Sequence, residues 1–232
     1  MTVSSEYCPP SDPLDILHHD AQILVVNKPA GLLSVPGKGE HLSDCLISRI
    51  QAAFPEALLV HRLDRDTSGV MVFAMTAHAQ RHLGLQFEKR MTKKTYVARL
   101  TGKLEPRSGT VDLPLIVDWP NRPLQKVCKE TGKPAHTDWK VEARYGQKAT
   151  RMSCIIHTGR THQIRVHMSE IQFPLLGDST YGFRPGQLKD IEVPRVMLHS
   201  TELQIQHPDR DERMTFEAPL PRDFEDLIAR LA

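Results

Sequence analysis

HRLDRDTSG, residues 61–69, is the stretch around which the chain is organised. Five of its nine residues are ionisable, yet apolar runs adjoin it on both sides, at residues 57–60 and 70–74. Apolar runs of this length, bounded by turn residues, are typical of buried strands. Charges held between buried strands are costly unless they are paired or functional. The stretch is therefore predicted to be a constrained loop that carries an ion pair, a chemical function or both.

Asp64 is the candidate reactive carboxylate of this loop. It lies between Arg62 and Arg65, and nearby cations favour the ionised form of a carboxylate. An ionised, positioned Asp can act as a nucleophile or a general base. A surface loop with a salt bridge is the alternative, because structural ion pairs perturb carboxylates in the same way. Asp66 is the nearest rival, and for it a turn-forming role before Thr67 is favoured.

The composition is that of a globular protein with a hydrophobic core. The chain has 232 residues, of which 40% are apolar and 25% are charged, enough for one large or two small domains. No apolar run approaches the roughly 20 residues of a membrane span. The N-terminus lacks the basic region and apolar stretch of a signal peptide. We therefore expect a cytoplasmic protein that does not enter a membrane.

Cysteine and histidine spacing gives no signal for a metal site. The four cysteines form no CxxC pair, which predicts free thiols. His157, His162 and His167 recur every five residues. That spacing places them on neither one helix face nor one strand face. We expect no metal ion and no cofactor.

Two basic segments are the main electrostatic features. The net charge is only +2. Residues 89–103, however, contain six Lys or Arg residues and no acid, and residues 121–133 contain four with one acid. Such local runs suit a phosphate backbone, and an ordinary solvated face is the alternative.

Hydrophobic periodicity predicts an α+β fold. Strands are predicted at residues 16–19, 23–26, 57–60, 70–75, 94–102, 136–144, 152–157 and 196–206. Helices are predicted after the caps Ser43 and Thr76, after residues 159–161, and at residues 224–231. We predict a single domain with a mostly antiparallel mixed central sheet and a few packed helices. Residues 1–13, which are rich in proline, are predicted to form a flexible tail.

Three motifs, in this order, resemble those of the RluA-type pseudouridine synthases: HRLDRDTSG (61–69), KKTYVA (93–98) and TGRTHQIRVH (158–167). NKPAGL (27–32) and LGD (176–178) are similar to flanking segments of that family. The resemblance extends over most of the chain. It implies a pseudouridine synthase fold over residues 14–232, acting as a monomer without the S4-type RNA-binding domain of longer members.

The resemblance implies an essential catalytic role for Asp64, assisted by Tyr96 and Arg165. Tyr96 could stack on the uracil and relay the C5 proton, and a core tyrosine is the alternative. Arg165 could hold Asp64 ionised, and a phosphate contact or a bond to a surface acid is the alternative. Arg62 is associated in the family with extruding the target nucleotide, and a pairing with a loop carboxylate is the alternative.

The other residues that we expect to contact RNA or the target base are Ile164, Lys93, Lys94, Arg160 and Arg122. Ile164 matches an apolar family position that packs against the base, although core packing would explain it equally well. The four basic residues belong to the basic segments or to the third motif, where they could contact phosphates.

The implied reaction converts specific uridines to pseudouridine in stem-loops of 23S rRNA, in the tRNA anticodon loop, or in both. It breaks the N1–C1′ bond, turns the base and rejoins it through C5, so that no atoms are lost and no cofactor is required. Two alternatives come from other classes. One is a non-catalytic RNA-binding or ribosome-assembly protein on the same fold. The other is an Asp-dependent glycoside hydrolase, which would need a second carboxylate about 5–10 Å away.

Overall fold

The structure is a computed structural model that describes residues 7–189 and 191–231. The strands are β1 (Asp15–His19), β2 (Ile23–Lys28), β3 (Leu58–Leu59), β4 (Ser68–Ala74), β5 (Lys93–Thr101), β6 (Ser108–Asp112), β7 (Leu115–Val117), β8 (Gln125–Val127), β9 (His136–Tyr145), β10 (Ala149–Ile156), β11 (Leu198–Gln206) and β12 (Arg213–Glu217). The helices are α1 (Leu46–Ala53), α2 (Ala77–Glu88), α3 (Gln163–Glu170) and α4 (Arg222–Leu231). Within the described ranges, no helix is both long and apolar enough to cross a bilayer.

The described residues form two compact units. Unit 1 contains the chain up to Thr92 together with Leu203–Ala218. Unit 2 contains Lys93–Glu202 together with the segment from Pro219 onward. Strand β11 contributes its first half to unit 2 and its second half to unit 1.

Unit 1 is built on a sheet with the strand order β1-β2-β4-β11. β2 and β4 are antiparallel, and their register places Lys28 opposite Gly69. Every residue of β4 is buried, as the apolar run in the sequence predicts. Helix α2 packs on this sheet through Ala79 and Leu83, which are fully buried in the unit 1 core. The charged loop (residues 61–69) therefore leads directly into a rigid, buried strand.

Unit 2 is built on a sheet with the order β11-β5-β10-β9-β6, and β7 and β8 form a separate hairpin. β5 and β10 are antiparallel, with Tyr96 opposite Cys154. Helix α3 follows β10. Helix α4 is amphipathic and buries Phe224, Leu227 and Leu231 in the unit 2 core. The predicted α+β class with a mostly antiparallel central sheet is confirmed.

A buried arginine lies inside unit 2. The Arg99 side chain is fully buried, and its guanidinium lies 5.4 Å from the centre of the Phe224 ring. It donates hydrogen bonds to the carbonyl oxygen of Phe224 at 2.8 Å and to the hydroxyl of Tyr145 at 3.3 Å. Arg99 therefore belongs to the core, although the sequence placed it in a basic surface segment.

The predicted helix caps have different outcomes. Thr76 caps α2, because its side chain accepts a hydrogen bond from the Ala79 N–H at 3.0 Å. The prediction for Ser43 is wrong. Ser43 ends a short 3-10 turn at Glu40–Leu42, and its own N–H donates to the Glu40 carbonyl at 3.0 Å. Helix α1 begins three residues later, after Cys45, because Ser43 has a helical backbone (φ −76°, ψ −32°), whereas an N-cap has an extended backbone such as that of Cys45 (φ −157°, ψ 168°).

The predicted N-terminal tail is described only from residue 7 onward, and residues 1–6 lie outside the described residues. The Tyr7 hydroxyl donates a hydrogen bond to the Asp44 carbonyl at 2.8 Å. It also accepts one from the Leu33 N–H at 3.0 Å. These contacts attach the start of the described chain to unit 1.

Candidate active site

A buried lysine holds the charged loop of unit 1. Lys28 is fully buried. Its ammonium donates hydrogen bonds of 2.8, 2.8 and 2.9 Å to the carbonyl oxygens of Pro29, Leu32 and Arg65. Hydrogen bonds from a charged donor are among the stronger ones in proteins. The backbone immediately after Asp64 is therefore fixed by a charge at the end of β2.

Two further side chains fix the first half of the charged loop. Ser34 donates a hydrogen bond to the Leu63 carbonyl at 2.7 Å and accepts one from the Leu63 N–H at 3.1 Å. His61 accepts a hydrogen bond from the Val72 N–H at 3.1 Å. The same imidazole stacks on the Phe87 ring with centroids 4.6 Å apart. The loop is thus anchored on both sides of its central carboxylate.

An ion pair within the loop joins two consecutive residues. Arg65 donates two hydrogen bonds to the carboxylate of Asp66, at 2.9 and 3.1 Å. The Asp64 carbonyl accepts a hydrogen bond from the Thr67 N–H at 3.2 Å, which closes a turn. This geometry agrees with the turn-forming role favoured for Asp66, and it adds the pairing with Arg65. The Asp64 side chain is partly exposed and Arg62 is exposed.

In unit 2, a buried arginine of the third motif is oriented by an aspartate. Arg165 lies on α3 and donates hydrogen bonds to Asp178 from Nε at 2.7 Å and from Nη2 at 2.9 Å. The Asp178 side chain is only 1% exposed, so this bidentate pair is shielded from water. The guanidinium also lies 4.9 Å from the centre of the Tyr181 ring. The predicted pairing of Arg165 with Asp64 joins residues of different units and stays a prediction.

The turn that begins α3 is conformationally demanding. His162 adopts a left-handed conformation with φ of 55° at the N-cap of α3. Such a backbone is unfavourable for a residue with a side chain, and such strain is concentrated at functional sites. The His162 ring lies 2.7 Å from the Tyr181 hydroxyl. Gln163 accepts hydrogen bonds from the Thr158 hydroxyl at 2.6 Å and from the Arg160 N–H at 3.1 Å.

Tyr96 and Ile164 are both buried in unit 2. Tyr96 is 7% exposed on β5, and Ile164 is 4% exposed at the start of α3. Burial agrees with either a packing role or a role in a closed site, so their contact with the base stays a prediction.

Two adjacent lysines of β5 differ in environment. Lys93 is exposed and forms an ion pair with Glu202 at 3.0 Å. Lys94 is buried and donates a hydrogen bond to the Thr158 carbonyl at 3.4 Å. Lys94 therefore contacts the turn of the third motif, whereas Lys93 pairs with an acid at the surface, and the contacts of both with RNA stay predictions.

The other two predicted RNA contacts lie on loops of unit 2. Arg160 donates a hydrogen bond to the Pro134 carbonyl at 3.0 Å. Arg122 lies in the β7–β8 hairpin, with its guanidinium 3.2 Å from the centre of the Trp119 ring. Trp119 is 63% exposed. An exposed aromatic ring beside an arginine is the kind of surface on which unpaired bases stack.

Comparison with known proteins gives the class to which this fold and these motifs belong. Residues 22–170 match the RNA pseudouridylate synthase family. The chain belongs to this family and is an RNA pseudouridine synthase, an isomerase that acts on RNA. This confirms the enzyme class predicted from the motifs and favours it over the hydrolase and the non-catalytic alternative.

Individual relatives are similar over nearly their whole length. The dual-specificity RNA pseudouridine synthase RluA of Escherichia coli K12 is 50% identical over 214 residues, which are 92% of this chain and 96% of that protein. The protein of the same description from Pasteurella multocida is 46% identical over the same shares. The structure of human RNA pseudouridylate synthase domain containing 1 has 28% identity and a TM-score of 0.74, over 92% of this chain and 87% of that one. The structure of human RNA pseudouridylate synthase domain containing 4 has 25% identity and a TM-score of 0.76, over 94% of this chain and 92% of that one.

Sequence reasoning missed three residues that organise the site. Lys28, Ser34 and Asp178 each position a motif residue or its neighbouring backbone. The sequence carried a signal for Lys28, because this residue follows closely on the apolar run of residues 23–26. The structure shows that the run is fully buried. Asp178 lay in the LGD segment, but its partner is 13 residues away along the chain and could not be read from spacing.

Proposed function

We propose that this protein isomerises specific uridines in stem-loops of 23S rRNA, in the tRNA anticodon loop, or in both, with Asp64 as its essential carboxylate. The observation that carries the proposal is the charged loop, which Lys28 and Ser34 hold on both sides of Asp64. A partly exposed carboxylate on a backbone that is held on both sides suits chemistry on a flipped nucleotide. Support for two RNA substrates comes from relatives described as dual-specificity.

In this proposal Asp64 engages the nucleoside while the N1–C1′ bond breaks and the base is turned. Tyr96 stacks on the detached uracil and accepts or relays the C5 proton. Arg165 holds the Asp64 carboxylate ionised. Asp178 supports that role, because it fixes the plane of the Arg165 guanidinium through two short hydrogen bonds.

Extrusion of the target base is assigned to Arg62, which occupies the vacated place in the stack. Ile164 packs against the extruded base. These roles rest on the family motifs, and the exposure of Arg62 in the charged loop agrees with contact to RNA.

Binding of the RNA backbone is assigned to Lys93, Arg160 and Arg122. Lys94 is assigned to the RNA as well, from the Thr158 turn to which its ammonium is bonded. The catalytic domain spans residues 14–232 and acts as a monomer in the cytoplasm, without a metal or cofactor in the isomerisation.

The test compares two carboxylates of the same loop. Asp64→Asn keeps the shape of the side chain and removes its charge, so we expect a folded protein that binds RNA and forms no pseudouridine. Asp66→Asn is the matched control and should retain activity. Both are incubated with total RNA from a strain that lacks the gene, and pseudouridine is then mapped. Turnover by the Asp64→Asn protein would reject the assignment of the carboxylate, and modification confined to another RNA would reject the substrates.

A further inference from the structure

Two histidines and an aspartate converge where β9 begins and β10 ends in unit 2. Nε2 of His136 lies 3.2 Å from one carboxylate oxygen of Asp138, and Nε2 of His157 lies 2.7 Å from the other. One potential ligand atom from each of the three residues lies within 4.8 Å of the others. The two imidazole rings meet edge to face, with centroids 4.8 Å apart.

Strand geometry explains why these three residues meet. His136 and Asp138 are two residues apart on β9, and side chains with that spacing point to the same face of a sheet. β10 is the antiparallel neighbour of β9, with Ile156 opposite Thr137. The N–H of His157 continues the ladder to the His136 carbonyl at 3.1 Å. The spacing of His157, His162 and His167 argued against a metal, but the fold places His157 beside His136 and Asp138 instead.

The donor set matches a transition metal better than it matches calcium or magnesium. Imidazole nitrogen suits zinc, nickel, copper and iron, whereas the hard cations prefer oxygen donors. In a tetrahedral zinc site with bonds of about 2.0–2.1 Å, the donor atoms lie about 3.3 Å apart. The two histidine nitrogens lie 3.2 and 2.7 Å from different oxygens of the Asp138 carboxylate, and one donor atom from each residue lies within 4.8 Å of the others, so side-chain rotations would bring three donors to that spacing.

Neighbouring groups lie against two of the three side chains, Asp138 and His136. The Thr110 hydroxyl donates a hydrogen bond to Asp138 at 2.6 Å. A carboxylate oxygen of Asp112 lies 3.7 Å from Nδ1 of His136. A histidine that binds a metal through one nitrogen usually donates its other N–H to such a carboxylate. All three side chains are partly exposed, at 36%, 44% and 48%, which leaves an entry path and room for a water ligand.

We propose that His136, Asp138 and His157 form a binding site for a divalent transition metal, best matched by zinc, with a fourth position for water. A bound ion would link β9 to the residue that precedes the third motif. The N–H of His136 already donates to the Thr158 hydroxyl at 3.0 Å, so the site joins the network that begins α3. Its role is to stabilise that turn, and the isomerisation does not depend on it.

The experiment titrates metal-free protein with Zn²⁺ alone by calorimetry, and with Co²⁺ alone by visible absorption. We expect one ion per chain at this site and the absorption bands of low-symmetry cobalt. His157→Ala and His136→Ala should each weaken binding by about 100-fold or more. Asp112→Asn should weaken it by about 10-fold, as removal of an orienting group does. Circular dichroism checks that each variant is folded.

The matched control is a histidine pair of unit 1. His78 and His82 lie four residues apart on α2, with ring centroids 6.3 Å apart, and such a pair can also chelate a metal. His78→Ala should leave the affinity unchanged. The proposal is overturned if His78→Ala abolishes binding, if His157→Ala leaves it intact, or if wild type binds no ion. Melting temperature gives a second readout, because Zn²⁺ should raise it for wild type and for His78→Ala, but not for His157→Ala.

Discussion

Replacing Lys28 by Met tests whether a buried charge positions the charged loop. Met has nearly the same length as Lys and can fill the same space, but it donates no hydrogen bond. The substitution therefore removes three hydrogen bonds at once, those to the carbonyl oxygens of Pro29, Leu32 and Arg65. The Arg65 carbonyl belongs to the residue after Asp64, so the loss reaches the proposed catalytic carboxylate.

The magnitude follows from the burial of the three bonds. The bond to Leu32 is buried, and those to Pro29 and Arg65 are part-buried, where water can replace the lysine. An unsatisfied buried carbonyl costs about 1–3 kcal/mol, and an ordinary hydrogen bond contributes about 0.5–1.5 kcal/mol. Removing the desolvated ammonium offsets part of this loss. We expect the free energy of unfolding to fall by roughly 2–4 kcal/mol in total.

Two assays separate the stability effect from the positioning effect. Urea unfolding should show the loss of stability, and a protein of this size should melt lower by about 2–4 °C per kcal/mol. Below the melting transition, kcat should fall by about 10- to 100-fold, because a displacement of 1 Å can cost a factor of that size. KM should change little, since the Lys28 side chain is fully buried and therefore closed to RNA.

The control for the Lys28 substitution is Lys38→Met. Lys38 is exposed in the stretch between β2 and α1. Its replacement therefore changes the net charge by the same amount without removing the hydrogen bonds that hold the charged loop. Lys38→Met should keep both stability and kcat. If Lys28→Met is as stable and as active as Lys38→Met, the charged loop is not held by the buried ammonium.

Three further predictions concern other regions. Burial raises the pKa of Asp20, but hydrogen bonds from two histidines and two backbone N–H groups outweigh it and lower the pKa well below 3.8. Its contribution to stability is therefore present above about pH 4 and lost as the pH falls further, so the stability difference between wild type and Asp20→Asn should shrink in acid unfolding curves. Arg62→Ala should lose more kcat/KM on a stem-loop with a stacked target than on one with a bulged target, by on the order of 1–3 kcal/mol, and equal losses would reject the flipping role. RNA should quench the fluorescence of exposed Trp119 but not that of buried Trp139, so Trp119→Phe, unlike Trp139→Phe, should abolish the quenching.

Features set by local sequence could be predicted, whereas features set by distant partners could not. The Thr76 cap needs only a hydroxyl and an N–H three residues later, and the strand alternation of residues 136–144 needs only one solvated face. The start of α1 was misplaced because the turn at Glu40–Leu42 uses the backbone of Ser43.

The candidate site shows the same limit. Family motifs predict roles for Asp64 and Arg165, but the local sequence pattern does not show the contacts of the groups that orient their surroundings. Lys28 bonds to a carbonyl 37 residues away, and backbone carbonyls carry no sequence signal. Likewise, the sequence did not pair His157 with Asp138, 19 residues earlier, because strand register brings the two side chains together.

The buried Arg99 has a consequence for the order in which the chain is synthesised. Its partner, the Phe224 carbonyl, is 125 residues further along the chain. At translation speeds of about 5–20 residues per second, β5 waits roughly 6–25 s for α4 to be made. Until then the guanidinium must keep its water, since a buried cation without partners is costly. The interior of unit 2 is therefore closed only after α4 has been made, and a nascent chain stalled before α4 would expose a wet, incomplete core to chaperones and proteases.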